Sequence, residues 1–286
     1  MEARMIDVGE VRLHVITAAP APGAPDRGPV VLLHGFPSYW GTWRHQIAPL
    51  AAAGHSVIVP DLRGYNLSEK PRGVEAYTVD RLSGDVLGLL HALGHDRAII
   101  VGHDWGGAVA WNLAMRYPQA VDGLVVANAP HPRIVREKRF TWRRLKAWWY
   151  MFAFQMPWLP ELLLRNPARL VGALRRTCAI DGAFDREALK AHVEAFRQPG
   201  AATATLHYYR AAFRHPQPAA SLRRPVEAPT LVLDGRRDPV MGDDLLEGIE
   251  TVGRDVRVER VDAGHWIPLE MPDVMTQAIL SCGSPR

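Results

Sequence analysis

The run Ala98-Ile-Ile-Val-Gly-His-Asp-Trp-Gly-Gly107, with the stretch Ala108 to Tyr117 behind it, decides the fold. Its first four residues are continuously apolar, as in a strand covered on both faces, and the residues from Ala108 onward have helical apolar spacing. Between them, glycines stand two residues either side of Asp104. A strand turning sharply into a helix over small residues is the setting of a nucleophile elbow, where one side chain is held at the tip of a sheet. The usual pattern is Gly-x-Ser-x-Gly; here Asp104 stands in the serine place. A plainer role stands beside this one, because Asp commonly caps a helix.

Working outward, the same alternation recurs. Short apolar runs at 30–33, 56–59, 123–126, 230–233 and 256–261 read as strands, and 11–17 alternates as a half-buried strand near a sheet edge does. Helical spacing marks 42–53, 77–93, 105–117, 243–250 and 271–281. Strand and helix in turn predict an α/β fold, a mostly parallel sheet flanked by helices. From about 130 to 218 the strand signal disappears and Trp, Tyr, Phe and Pro are concentrated. The expected division is therefore a core of 1–129 and 219–286 interrupted by a helical segment, 130–218. An insertion near the carboxyl ends of parallel strands can cover the crevice where such sheets bind ligands.

With 286 residues, 48% hydrophobic and 22% charged, the chain is globular in composition rather than disordered. Its apolar runs are too short to span a bilayer, and the first residues lack the apolar stretch of a secretory signal, so a cytoplasmic protein without stable membrane insertion is expected. Cys178 and Cys282 form no metal-ligand spacing and read as reduced thiols. The net charge is +4, with only four lysines among the 34 basic residues, a bias that a GC-rich genome produces. The dense basic run 133–146 reads as an amphipathic surface helix, with contact to anionic lipid or nucleic acid as the sharper alternative. Nothing else in the chain supports nucleic-acid binding.

Two further motifs supply partners for Asp104. Ala263-Gly-His-Trp-Ile-Pro-Leu-Glu-Met-Pro272 places His265 in a loop after the strand at 256–261, and Leu233-Asp-Gly-Arg-Arg-Asp-Pro239 offers Asp238 in a loop after another. Asp234 competes for the acid's place but falls at the strand end, and Asp262 is adjacent to His265 in sequence without a defined direction. The order nucleophile, acid, histidine is that of the α/β-hydrolases and differs from the two common serine-protease orders. His34-Gly-Phe-Pro37, after the strand at 30–33, stands where this fold provides one backbone N–H of an oxyanion hole. Phe36 and Trp105 are then the two donors, and His34 reads as structural.

Together with Asp61-Leu-Arg-Gly-Tyr-Asn-Leu-Ser-Glu-Lys-Pro71, these motifs resemble the epoxide hydrolase branch of the α/β-hydrolases over nearly the whole chain. One departure is Asn66, where the family commonly has glycine; Asn tolerates a left-handed backbone better than most residues. The resemblance implies an α/β-hydrolase fold with a helical cap inserted after the sixth strand of the sheet. It also implies two cap tyrosines, which match Tyr150 in Trp149–Pro157 and Tyr209, rather than Tyr208, in Leu206–Arg210. The expected enzyme converts an apolar epoxide and water to a vicinal diol through an ester on Asp104, with no metal or other cofactor. A homodimer is compatible with this reading.

Other readings remain. A haloalkane dehalogenase uses the same nucleophile, but its second halide donor is usually an Asn or Trp where this chain has Phe36, whose side chain has no N–H. A non-catalytic binding protein of this fold would be favoured by loss of a triad member, and none is lost. Trp148, Trp149, Phe152, Phe154, Trp158 and Phe184 suggest an apolar pocket.

Overall fold

In the computed structural model, which describes residues 1–138 and 141–282 apart from the side chains of Arg143 and Asp243, eight strands form one sheet. β1 (Glu2–Asp7) and β2 (Arg12–Ala18) make an antiparallel hairpin, β3 (Pro29–Leu33) leads to α1 (Arg44–Ala52), and β4 (Ser56–Pro60) leads to α2 (Val79–Ala92). β5 (Ala98–His103) turns into α3 (Trp105–Arg116), and β6 (Val121–Ala127) follows. The next elements are all helical: α4 (Pro132–Glu137), α5 (Trp142–Ala153), α6 (Leu159–Leu164), α7 (Pro167–Thr177), α8 (Arg186–Phe196) and α9 (Ala201–Arg214). The sheet resumes with β7 (Thr230–Gly235) and β8 (Val256–Val261), and the chain continues through α10 (Ile267–Glu270) and α11 (Pro272–Cys282).

The strand order is β1-β2-β4-β3-β5-β6-β7-β8, antiparallel through β2 and β4 and parallel from β4 onward. Successive side chains of β3 go to opposite faces: Val31 and Leu33 join one core with α2 and α3, while Val30 and Leu32 join another with α1 and α11. Each such fully buried side chain is worth about 1.5–3 kcal/mol, which is why both faces of the central strands are apolar. The register Val30↔Ile99 through Leu33↔Gly102 sets the carboxyl ends of β3 and β5 side by side. The loop at 34–36 thereby lies against the turn at 103–105. Farther along the sheet, Gly235↔Val261 does the same for the ends of β7 and β8.

Three sequence expectations need correction. Residues 243–250 do not form a helix but two short 3₁₀ turns, Asp243–Leu245 and Ile249–Val252, separated by Gly248 at φ 81°. β1 has no signature in the sequence, because Ile6 is its one buried residue, which leaves no alternation to read; counting it, β6 is the sixth strand. The basic run 133–146 is not one helix, because Lys138 is extended between α4 and α5; Arg139, Phe140 and the side chain of Arg143 lie outside the described residues. Asn66 has the left-handed φ of 41° that its residue type tolerates.

Candidate active site

Asp104 occupies the turn between β5 and α3 at φ 52°, ψ −119°, a backbone region that costs a non-glycine residue about 1–3 kcal/mol. It caps α3 through no side-chain hydrogen bond, so the plainer reading of this residue has no support in the geometry. Close approaches make the turn dependent on glycine. A Cβ on Gly106 would lie 2.2 Å from the Leu33 carbonyl oxygen, and one on Gly35 would lie 2.3 Å from Asp104 Oδ1. With that space open, the Phe36 N–H donates to Asp104 Oδ1 at 2.6 Å. Burial raises the Asp104 carboxyl above its ordinary value; His265 and the N–H groups of Phe36 and Trp105 oppose this without cancelling it.

His265 lies across from it, with Nε2 3.7 Å from Asp104 Oδ2, while its Nδ1–H donates to Asp238 Oδ2 at 2.7 Å. Burial disfavours charge on the imidazole, but the Asp238 carboxylate and its hydrogen bond, reinforced by Asp104, push the pKa up to about 9. Asp234 and Asp262 are engaged elsewhere, with Arg260 and Arg237 at 3.0 Å each. The structure therefore brings Asp104, His265 and Asp238 together and keeps the other two candidates apart. His34 accepts a hydrogen bond from the Leu62 N–H and donates to the Gly35 carbonyl, bracing the loop that carries Phe36.

Two buried residues organise this array without having been singled out from the sequence. Asn128, at the end of β6 with φ 47°, donates to the carbonyls of Gly264 and His265 at 2.9 Å and accepts from the Gly235 N–H at 2.8 Å. It thus joins the loop of the histidine to the strand end that leads to Asp238. Glu270 accepts from the N–H groups of Gly264, Trp266, Ala179 and Ile180 at 2.8–3.0 Å. In the same place the His265 N–H donates to the Thr177 carbonyl and the Trp266 indole to the Thr177 hydroxyl, at 2.8 Å each. The histidine loop is therefore tied to the chain just after α7. An acid inside the apolar run Trp266–Met271 was the sequence signal for Glu270; for Asn128 it was a residue tolerant of φ > 0 at a strand end.

A cavity of about 410 Å³ opens above Asp104 and runs outward to Arg136, His215 and Pro216, which are at or near the surface. Tyr150 from α5 and Tyr209 from α9 line it, their rings 5.9 Å apart and nearly perpendicular. Burial, with the charge on Asp104 added, raises both phenols far above their ordinary value, so each keeps its proton. The neighbouring Tyr208 is spent structurally, its hydroxyl donating to the Arg63 carbonyl at 2.7 Å. Trp148 and Met151 also line the cavity, but Trp149, Phe152 and Trp158 are exposed, contrary to expectation. Phe184 packs on His192 and Trp266, and Phe154 stacks against Phe36 and Tyr209.

An eight-stranded, mostly parallel sheet with an acidic elbow residue, a histidine and its carboxylate at the strand ends defines an α/β-hydrolase. Residues 28–272 match the family described as alpha/beta hydrolase fold, and the chain belongs to it. An AB hydrolase superfamily protein of Bacillus subtilis is 36% identical over 98% of this chain and 97% of its own. Epoxide hydrolase A of Mycobacterium tuberculosis is 34% identical over 97% of this chain and 95% of its own. Among solved structures, a Bacillus megaterium epoxide hydrolase in complex with an inhibitor superposes with a TM-score of 0.83 at 29% identity, covering 97% of this chain and 99% of that one. The chain is a hydrolase of this fold, epoxide-hydrolase-like in sequence and structure.

Proposed function

We propose that the protein hydrolyses an apolar epoxide to a vicinal diol, with residues 130–218 acting as a cap over the site. The observation that carries this reading is the pair of protonated phenols, Tyr150 and Tyr209, sharing one cavity with the Asp104 carboxylate. A carboxylate is competent against the strained carbon of an epoxide, and ring opening creates an alkoxide that needs a proton. Asp104 Oδ2, the oxygen not held by Phe36, forms the new C–O bond as the ring C–O bond breaks. Tyr150 or Tyr209 hydrogen-bonds the ring oxygen and delivers the proton.

The second half follows from charge. Esterification removes the negative charge 3.7 Å from His265, and with it part of what holds the imidazole proton. His265 then gives up that proton to the phenolate left by ring opening and, still oriented by Asp238, takes one from the water attacking the Asp104 carbonyl carbon. The oxyanion forms on Asp104 itself, against the N–H groups of Phe36 and Trp105, each such donor being worth about 3 kcal/mol. Collapse of this tetrahedral centre breaks the Cγ–Oδ2 bond; Oδ2 leaves in the diol, taking the proton of the water-derived hydroxyl, and the water oxygen stays in the restored carboxylate.

The test is to incubate the protein with styrene oxide and with 1-bromobutane, measuring diol and bromide. Bromide without diol would assign the site to dehalogenation. A single turnover in heavy-oxygen water should place label in Asp104 before the diol; label in the first diol would mean that water attacks the ring directly.

A further inference from the structure

Of the thirteen large apolar side chains exposed among the described residues, nine lie between Trp142 and Phe213. On α5, Trp149 and Phe152 point outward at 63% and 42% exposure, with the exposed Lys146 one turn before Trp149. Phe152 meets Phe213 of α9 edge to face, ring centroids 5.4 Å apart, so the outer faces of two helices form one surface. Arg210 of α9 holds the connection to α6 against it, donating to the Phe154 and Met156 carbonyls and pairing with Glu161. At the start of α6, Trp158 sits at φ 48°, a left-handed conformation that a bulky residue rarely adopts, and is 79% exposed. Strained backbone here holds an indole in water, and observed strain of this kind points to a use.

The charge around this surface is one-sided. Residues 130–218 carry 16 Lys and Arg against 6 Asp and Glu, a net of +10, while the rest of the chain has 18 against 24, a net of −6. Lys146, Arg165, Arg169 and Arg214 are exposed, and among the described residues none of them forms an ion pair. Indoles and aliphatic side chains with a basic surround suit the headgroup boundary of an anionic bilayer. A second copy of the chain would set like charge against like, and a nucleic acid has no use for the apolar centre.

The geometry points to this face as a peripheral docking surface for anionic lipid membranes. Contact is superficial, since no helix among the described residues is long and apolar enough to cross a bilayer. Met151 and Ala212 line the cavity while their chain neighbours Phe152 and Phe213 belong to the docking face, so the two adjoin. An apolar substrate dissolved in the bilayer would then reach Asp104 without crossing open water. That last consequence rests on the epoxide reading; the docking does not.

Flotation of the full-length protein with phosphatidylcholine vesicles, and with vesicles also containing phosphatidylglycerol, tests this directly. Binding is expected to the anionic vesicles and to weaken at high salt. Lys146→Glu with Arg165→Glu and Arg169→Glu should weaken it at least by the three charges removed, about fivefold each and roughly a hundredfold together. Trp149→Ser with Trp158→Ser should abolish it, with the thermal midpoint and the turnover of a water-soluble epoxide unchanged. Absence of vesicle binding, or binding that neither variant affects, overturns the proposal. So does a concentration-dependent dimer in light scattering that the tryptophan variant dissolves, which would assign the face to a second copy. Flotation reads no turnover, so failure of the epoxide reading would show as missing diol with flotation intact.

Discussion

Asp104→Asn removes one charge while keeping the shape of the side chain, and it isolates what Asp104 does to His265. The two groups lie 3.7 Å apart, and at an effective dielectric constant of about 20 a pair of unit charges at that distance interacts by about 4.5 kcal/mol. At about 1.4 kcal/mol per pH unit, losing that interaction should lower the His265 pKa by about three pH units from its value of about 9. An imidazole titration followed by nitrogen-detected NMR should therefore move from pH 9 in the wild type toward the ordinary histidine range in the variant. Asp262→Asn, whose carboxylate pairs with Arg237 rather than His265, is the control and should leave the titration in place. Stability gives a second readout. Because the folded pKa lies above the ordinary 6.5, the contribution of this histidine is full below about pH 6.5 and is lost as pH rises through 9. The wild type should lose about 3 kcal/mol of unfolding free energy over that window, and the variant clearly less. A His265 pKa that falls by less than one pH unit in Asp104→Asn would refute the charge coupling on which the second half-reaction depends.

Four other substitutions separate positioning from chemistry. Tyr209→Phe should slow ring opening by about a hundredfold or more with little change in stability, since its hydroxyl is assigned to proton delivery; Tyr208→Phe should instead lose about 1–3 kcal/mol, because it leaves the Arg63 carbonyl without this donor, read by urea denaturation. Glu270→Gln removes the charge that four backbone N–H groups share and should cost on the order of 3 kcal/mol of stability; an unchanged urea midpoint would mean that these hydrogen bonds are replaceable by solvent. Asn128→Ala frees the carbonyls of Gly264 and His265 and should reduce kcat by about tenfold or more while KM changes little; equal loss in both would point to general collapse of the cavity instead.

The central strands were legible in the sequence because burial on both faces forces a continuously apolar run, as at Ala98–Val101, and glycine spacing exposes the elbow around Asp104. β1 was not, since one buried residue in six carries no pattern. Composition around 243–250 looked helical, but Gly248 in a left-handed conformation and the packing of Leu245 and Ile249 divide it into turns. Among the site residues, Asp238 could be preferred over Asp234 only by its place beyond the strand end, and the geometry places it on the imidazole. Which aromatics of α5 face the cavity was not readable, because Trp148, Trp149, Tyr150, Met151 and Phe152 are contiguous and residues 147–153 are apolar all round the helix. Glu270 and Asn128 act through backbone groups brought together only by the tertiary fold, so their local signals, an acid in an apolar run and an Asn at a strand end, do not name their partners.

The tie between Glu270 and the N–H groups of Ala179 and Ile180 bears on how such enzymes can be recombined. Exchanging the helices between β6 and β7 for those of a relative is an obvious route to new substrate range. Here, however, the segment after α7 is part of the mounting of the histidine. A chimera whose crossover points follow the sheet boundaries alone would install a new pocket and loosen the loop that carries His265 at once. The transferable unit is the helices together with the loop from Gly264 to Glu270, exchanged as a matched pair.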